Sequence, residues 1–192
     1  RTYTGIVGVN IGKNKTTPNE QAVNDYLVCL EKVYPHADYI TVNISSPNTE
    51  GLRDLQHGAY LEGLLKALMA SRNALAKTHH KTVPLFVKIA PDLTKAEIEA
   101  QAILFLKHNI EGVIATNSTL DRKAIAGHKH AGEAGGLSGA PLATQNTQVV
   151  ALLHQALKGK LPIIAVGGVC DARTAQAKID AGATVVQVYT GW

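Results

Sequence analysis

Six short apolar, β-branched runs recur along this chain, each followed by a stretch of helical periodicity. This alternation constrains the fold more than any other feature. The runs are Ile6–Ile11, Tyr39–Ile44, Leu85–Ile89, Gly112–Thr116, Ile163–Val166 and Val185–Tyr189. Runs with little polar alternation predict strands buried on both faces, as in a parallel sheet covered by helices. The stretches between them carry helix-start signals. Thr17-Pro18-Asn19-Glu20 predicts an N-cap threonine, a proline in the first helical position and a glutamate three residues after the cap. Thr94 with Glu97 predicts a second capping box, and Asp171 predicts the cap of a helix over Ala172–Asp180 that Gly182 ends. Two further helices are predicted within Leu61–Lys77 and Thr144–Leu157.

Repeated β-then-α steps with right-handed crossovers either close into a (β/α)8 TIM barrel or spread into a doubly wound sheet. Polar and glycine-rich residues follow nearly every run, which favours the barrel, where all such loops open on one face. Six units leave an eight-stranded barrel incomplete by two. We therefore expect residues 1–192 to be a single catalytic barrel domain truncated at both ends.

Composition narrows the class. Hydrophobic residues make up 45% and charged residues 18% of the chain, an ordinary balance for a folded globular domain. There is no run of eighteen apolar residues to span a bilayer, and Arg1-Thr2-Tyr3-Thr4 does not read as a signal peptide. The net charge of +4 comes from scattered lysines, which suits an anionic ligand better than a nucleic-acid surface. Cys29 and Cys170 stand alone, matching neither a disulfide framework nor a zinc pattern, and fit a reducing compartment. His79-His80 and His128-Lys129-His130 read as solvated histidines without ligand-spaced partners, so no metal is expected.

The loops after the runs hold the candidate chemistry. Asn43-Ile44-Ser45-Ser46-Pro47-Asn48 is a turn by composition, yet Asn43 at the mouth of a barrel strand needs a polar partner that a ligand would supply. Lys88 stands inside an apolar strand, where an ammonium is costly without an anion or acceptor. Two roles fit it: a Schiff-base nucleophile, or an electrostatic partner for a cofactor. Ala115-Thr116-Asn117-Ser118 opens a long connection to about Leu142 that contains Gly135-Gly136-Leu137-Ser138-Gly139. Gly167-Gly168 and Thr190-Gly191 follow the last two runs. Together these glycine loops favour a phosphate group.

These stretches, running in one order over essentially the whole chain, resemble class 2 dihydroorotate dehydrogenases, the quinone-linked, FMN-containing enzymes of pyrimidine biosynthesis. The matching segments are Gly8 through Lys15, Asn43 through Gln56, Val87 through Leu93, Val113 through Arg122, Gly135 through Leu142, Pro162 through Gly168 and Gln187 through Gly191. In family terms the chain runs from the third barrel strand to the eighth.

The resemblance implies oxidation of dihydroorotate to orotate, with FMN taking the hydride and quinone as final acceptor. It implies that Ser46 is the catalytic base, where class 1 relatives carry a cysteine. Asn43, Asn48, Asn117 and Ser118 then match substrate positions. Asn10, Asn43, Lys88, Thr116, Gly139, Gly168, Tyr189 and Thr190 match FMN-binding positions, with Ser138 beside them. Family membership further implies a peripheral place on the cytoplasmic face of a bacterial inner membrane, reached through an N-terminal segment outside this chain. Ala140, where relatives often carry a basic residue, and Trp192, after the Thr-Gly pair, depart from the family pattern.

Overall fold

The computed structural model describes residues 3–192, so Arg1 and Thr2 of the N-terminal reading lie outside the described residues. Six parallel strands lie side by side in sequence order and curl into a half-barrel. They are β1 (Gly8–Ile11), β2 (Tyr39–Asn43), β3 (Leu85–Ile89), β4 (Gly112–Ala115), β5 (Ile163–Val166) and β6 (Val185–Gln187). β3 and β5 coincide with their sequence runs, and the other four fall inside theirs, shorter by one or two residues. Between them run α1 (Ala22–Val33), α2 (Gly58–His79), α3 (Lys95–Lys107), α4 (Ala143–Leu157) and α5 (Ala172–Asp180).

Two of the three helix starts form as their sequences predict. Thr94 accepts from the Glu97 amide while Glu97 reaches back to Thr94, and Asp171 does the same with Thr174. The first does not. The chain passes Pro18 into a 3-10 turn at Asn19–Gln21, and α1 begins only at Ala22, with no side-chain cap. Glu20, the predicted partner in the cap, and its neighbour Asn19 are engaged elsewhere. The Glu20 carboxylate accepts from the Tyr60 hydroxyl at 3.0 Å, and Asn19 Nδ2 donates to the Gly51 carbonyl at 2.8 Å.

The two faces of the sheet differ, which corrects the expectation of strands buried on both sides. The outer face, against the helices, is covered along the four central strands: Ile40, Val42, Leu85, Val87, Ile89, Val113, Ile163 and Ala165 have no exposed surface. Burying each such Val, Leu or Ile stabilises the fold by about 1.5–3 kcal/mol. The inner face is only partly covered, because six strands do not close around it. Asn10, Val185 and Gln187 are exposed there.

Aromatic rings fill the lower part of the inner face. Tyr39 and Phe86 meet edge to face, 5.6 Å between centroids. Each ring lies where a neighbouring strand carries glycine. A Cβ at Gly8 would come within 2.0 Å of the Tyr39 ring, and one at Gly112 within 2.1 Å of the Phe86 ring. The polar residues occupy the next layers up: Asn10 pairs in register with Thr41, and Asn43 with Lys88. The inner face is thus apolar below and polar towards the carboxyl ends of the strands.

Candidate active site

At those carboxyl ends lies a cavity of about 340 Å³. Its walls are Lys88, Thr116-Asn117-Ser118, Ser138, Gly139 and Leu142, Val166–Val169, and Gln187 with Tyr189–Gly191. Four successive strand mouths therefore contribute, as a barrel site requires.

Lys88 lines the cavity beside Asn43. Its ammonium has no hydrogen-bond or ion-pair partner among the described residues, and burial holds its pKa below the ordinary lysine value. A half-buried cation without a partner is poised for an anionic or electron-rich group.

One hydrogen-bond network joins the β2 and β4 mouths. Asn43 Oδ1 accepts from the Ser45 amide at 3.2 Å, the Ser45 hydroxyl at 3.0 Å and Asn117 Nδ2 at 3.3 Å. Asn117 Nδ2 also reaches Ser45 Oγ at 3.2 Å, and Asn117 Oδ1 accepts from the Ser118 amide at 2.8 Å. The buried Tyr26 hydroxyl donates to the Asn43 carbonyl at 2.7 Å, fixing the strand end from the helix side. Asn43 Nδ2 donates to no protein group, so it is available to a ligand.

Ser46 sits one residue beyond this network and is half-buried. Its Oγ accepts from the Asn48 amide at 3.3 Å and donates to no described group. The Ser46-Pro47-Asn48 turn abuts the glycines of the long loop. A Cβ at Gly136 would lie 1.8 Å from Ser118 Oγ and 3.0 Å from Pro47 Cγ, and one at Gly135 would lie 3.3 Å from Asn48 Oδ1. A side chain at Gly136 would therefore collide with Ser118, so this glycine lets the long loop pack on the β2 and β4 mouths.

Three glycine loops converge on the far side. Gly168, at φ +68°, stacks directly on the start of α4, where a Cβ would lie 2.3 Å from the Ala143 Cα. Ser138 Oγ and Thr190 Oγ1 are 2.9 Å apart, and a Cβ at Gly139 would lie 3.2 Å from the Thr190 methyl. The result is a concave patch of backbone against the positive end of a helix, suited to a phosphate.

Most of the residues singled out from sequence are gathered here. Lys88, Thr116, Asn117, Ser118, Ser138, Gly139, Gly168, Tyr189 and Thr190 line one cavity, while Asn43, Ser46 and Asn48 flank it. Asn10 stands apart, exposed on the open side of β1. His130, read as unpartnered, instead meets Glu133 at 2.5 Å on the surface, because a turn brings the two together. No metal-binding cluster of His, Cys, Asp and Glu occurs among the described residues.

Sequence reasoning missed the groups that hold the loops. Arg53 donates to the Ser45 carbonyl at 3.1 Å, the Ser118 carbonyl at 2.8 Å and Asp92 Oδ2 at 2.8 Å. Asp92 also accepts from the Thr119 hydroxyl, from the Leu120 amide at 3.0 Å and from Gln145 at 3.1 Å. Burial alone would raise the Asp92 pKa, but these bonds outweigh it and hold the carboxyl below its ordinary 3.8. Asn146, buried in α4, donates to Thr116 Oγ1 at 3.1 Å and to the Val166 carbonyl at 2.9 Å. The signal available for the pair was that Arg53 and Asp92 each follow a strand mouth.

The family model for dihydroorotate dehydrogenase matches residues 1–192. The chain belongs to the dihydroorotate dehydrogenase family. It is 56% identical over 190 residues to a protein of Idiomarina loihiensis named dihydroorotate dehydrogenase (quinone), covering 99% of this chain and 57% of that one. A protein of the same name from Saccharophagus degradans is 55% identical over 192 residues, covering 100% of this chain and 57% of its own length. The chain thus spans little more than half the length of these relatives.

Among solved structures, ligand-free dihydroorotate dehydrogenase of Eimeria tenella superposes with a TM-score of 0.90 at 37% identity, covering 100% of this chain and 56% of that one. Its complex with ferulenol gives 0.89 at 38% identity, covering 97% and 53%. The fold is therefore that of this dehydrogenase family, with the six-stranded half-barrel corresponding to part of its barrel. No helix of the described residues is long and apolar enough to cross a membrane.

Proposed function

We propose that this chain is part of an FMN-binding barrel domain of a quinone-linked dihydroorotate dehydrogenase, which oxidises dihydroorotate to orotate in pyrimidine biosynthesis. The observation that carries the proposal is the cavity itself. It joins an unpartnered, half-buried lysine, a set of asparagine and serine amides and hydroxyls, and a glycine cradle, all on strand mouths of a chain belonging to this family. The residues present fit FMN: Lys88 suits the electron-rich pyrimidine edge of the flavin, and the Gly139, Gly168 and Thr190 loops suit its phosphate. FMN held there would supply the acceptor for the hydride that leaves C6 of dihydroorotate.

The chain's own residues account for the rest of the chemistry. Ser46 takes the C5 proton. A serine hydroxyl is a weak base, so the proton must pass on through water, and the half-buried state of Ser46 leaves part of it open to solvent. Asn43, Asn48, Asn117 and Ser118 orient the substrate, since primary amides offer both a donor and an acceptor to a planar ring with imide edges. Asn43 is held with its Oδ1 committed to protein donors, which leaves Nδ2 to serve the ligand. Thr116, Ser138 and Tyr189 complete the cofactor wall, while Asn10 would serve the cofactor from β1, apart from this cavity. Quinone would act as final acceptor through a region outside this chain, with the parent protein peripheral to the cytoplasmic face of a bacterial inner membrane.

A yellow full-length protein whose flavin absorbance bleaches on anaerobic addition of dihydroorotate is the expected result. A colourless protein, or a flavin that dihydroorotate leaves oxidised, would overturn the proposal. The lowered pKa of Lys88 also suits a Schiff-base nucleophile. Borohydride trapping of a carbonyl substrate on Lys88 would favour that second reading.

A further inference from the structure

Lys178, on α5, has no exposed surface at all. Its Nζ donates to the Ala143 carbonyl at 2.7 Å and to Thr147 Oγ1 at 2.8 Å. Both acceptors are neutral and no carboxylate among the described residues pairs with it, so its positive charge is buried without a paired countercharge. Burial accordingly pushes its pKa down to about 8. Such an arrangement costs stability unless an anion lies nearby.

The two acceptors lie in the first and second turns of α4, and the start of that helix backs the glycine cradle. A Cβ on Gly168 would lie 2.5 Å from the Ala143 nitrogen, and one on Gly167 would lie 2.8 Å from Leu142 Cδ2. Immediately upstream, Gly139 packs against Thr190. Lys178 therefore grips from behind the same turn that the cradle touches in front. Its charge adds to the positive end of the helix dipole at this point. No ion pair with Lys178 occurs among the described residues, whereas a phosphate in the cradle would supply the countercharge.

We infer that Lys178 is a positioning residue for the cofactor phosphate, acting as the buried cation that sets phosphate affinity at the Gly139–Gly168 cradle without touching the ligand. The inference rests on the FMN reading above. It predicts a specific energetic signature: loss of the charge weakens ligands that carry the phosphate and spares those that lack it.

The test titrates FMN and riboflavin into flavin-stripped full-length protein, following flavin fluorescence, for the wild type, Lys178→Met and Lys178→Gln. Methionine keeps the apolar volume and removes both bonds and charge. Glutamine keeps a donor and removes only the charge, and it decides the matter if Lys178→Met does not fold. The expected result is FMN affinity lower by about tenfold or more in both variants, with riboflavin affinity unchanged within about twofold. Variants in which FMN and riboflavin weaken together, or in which FMN affinity is unchanged, would overturn the role of Lys178. A wild type that prefers FMN over riboflavin would leave the cofactor reading standing in that event. A wild type that binds FMN no better than riboflavin would overturn the phosphate cradle, and this inference with it.

Discussion

Nη1 of Arg53 lies 2.8 Å from Oδ2 of Asp92, and this pair joins the loops that follow three successive strands. Through its other nitrogens Arg53 also holds the carbonyls of Ser45 and Ser118, so one guanidinium spans the loop carrying Ser46 and the loop carrying Asn117. A planar fork with donors in fixed directions can make all three contacts at once, and a lysine cannot.

Arg53→Leu is therefore expected to lower turnover of dihydroorotate by at least about tenfold and to destabilise the protein by about 1–3 kcal/mol, since it leaves partly buried acceptors unpaired. Arg53→Lys should rescue little of either loss. Urea unfolding and steady-state kinetics on the full-length protein measure both, and unchanged kinetics in Arg53→Leu would remove the clamp from the working site. Asp92, held below its ordinary pKa, stabilises the fold fully above pH 3.8, and that contribution fades as pH falls through its lowered value.

Ser46→Ala is expected to leave FMN bound and the fold intact, because its Oγ makes only one 3.3 Å contact with the Asn48 amide. Flavin reduction by dihydroorotate should slow by roughly a hundredfold or more, the scale of a lost general base. Stopped-flow reduction of the full-length protein measures this, and wild-type kinetics in the variant would assign the base elsewhere.

For Lys88→Met, the loss should appear in cofactor retention. The ammonium has no protein partner to lose, and the variant removes a desolvated charge, so the fold should be as stable as the wild type or more so. FMN content after gel filtration should fall sharply. Full flavination with an unshifted flavin spectrum would rule out the cofactor role.

Gly168→Ala is expected to cost about 1–3 kcal/mol from backbone strain alone, since its φ of +68° disfavours side chains. The new methyl must also displace the Ala143 backbone, so FMN affinity should fall more than riboflavin affinity does. Thermal unfolding with and without each flavin separates the two effects, and equal losses for both flavins would place the damage outside the cradle.

The buried Lys178 also sets a pH signature. Its folded pKa of about 8 lies below the ordinary 10.5, so between those values the unfolded chain holds a proton that the folded chain has released. Stability therefore rises with pH across that window. In urea unfolding of the flavin-free protein, wild-type stability relative to Lys178→Met should increase from pH 8 towards pH 10.5. Other titrating groups cancel in the difference. A flat difference would mean that Lys178 titrates normally.

The order of elements, the parallel sheet and the loops that carry the site were legible in the sequence, because strand runs, capping boxes at Thr94 and Asp171 and glycine-rich mouths are local signals. The family pattern likewise marked the residues that gather around one cavity, from Lys88 to Thr190. Pairings between distant residues were not legible. Arg53 meets Asp92 across 39 positions, and Lys178 meets Ala143 across 35. Nothing in the spacing of these residues encodes the contacts, which exist only once the sheet curls and the helices dock. For the same reason the Thr17-Pro18-Asn19-Glu20 cap failed: the local motif was sound, but Tyr60 and Gly51 offered its side chains better tertiary partners. Local chemistry in the sequence determined which elements form and where the reactive residues stand along them. Long-range packing alone decided which of those residues share a site and which buried charge stands behind it.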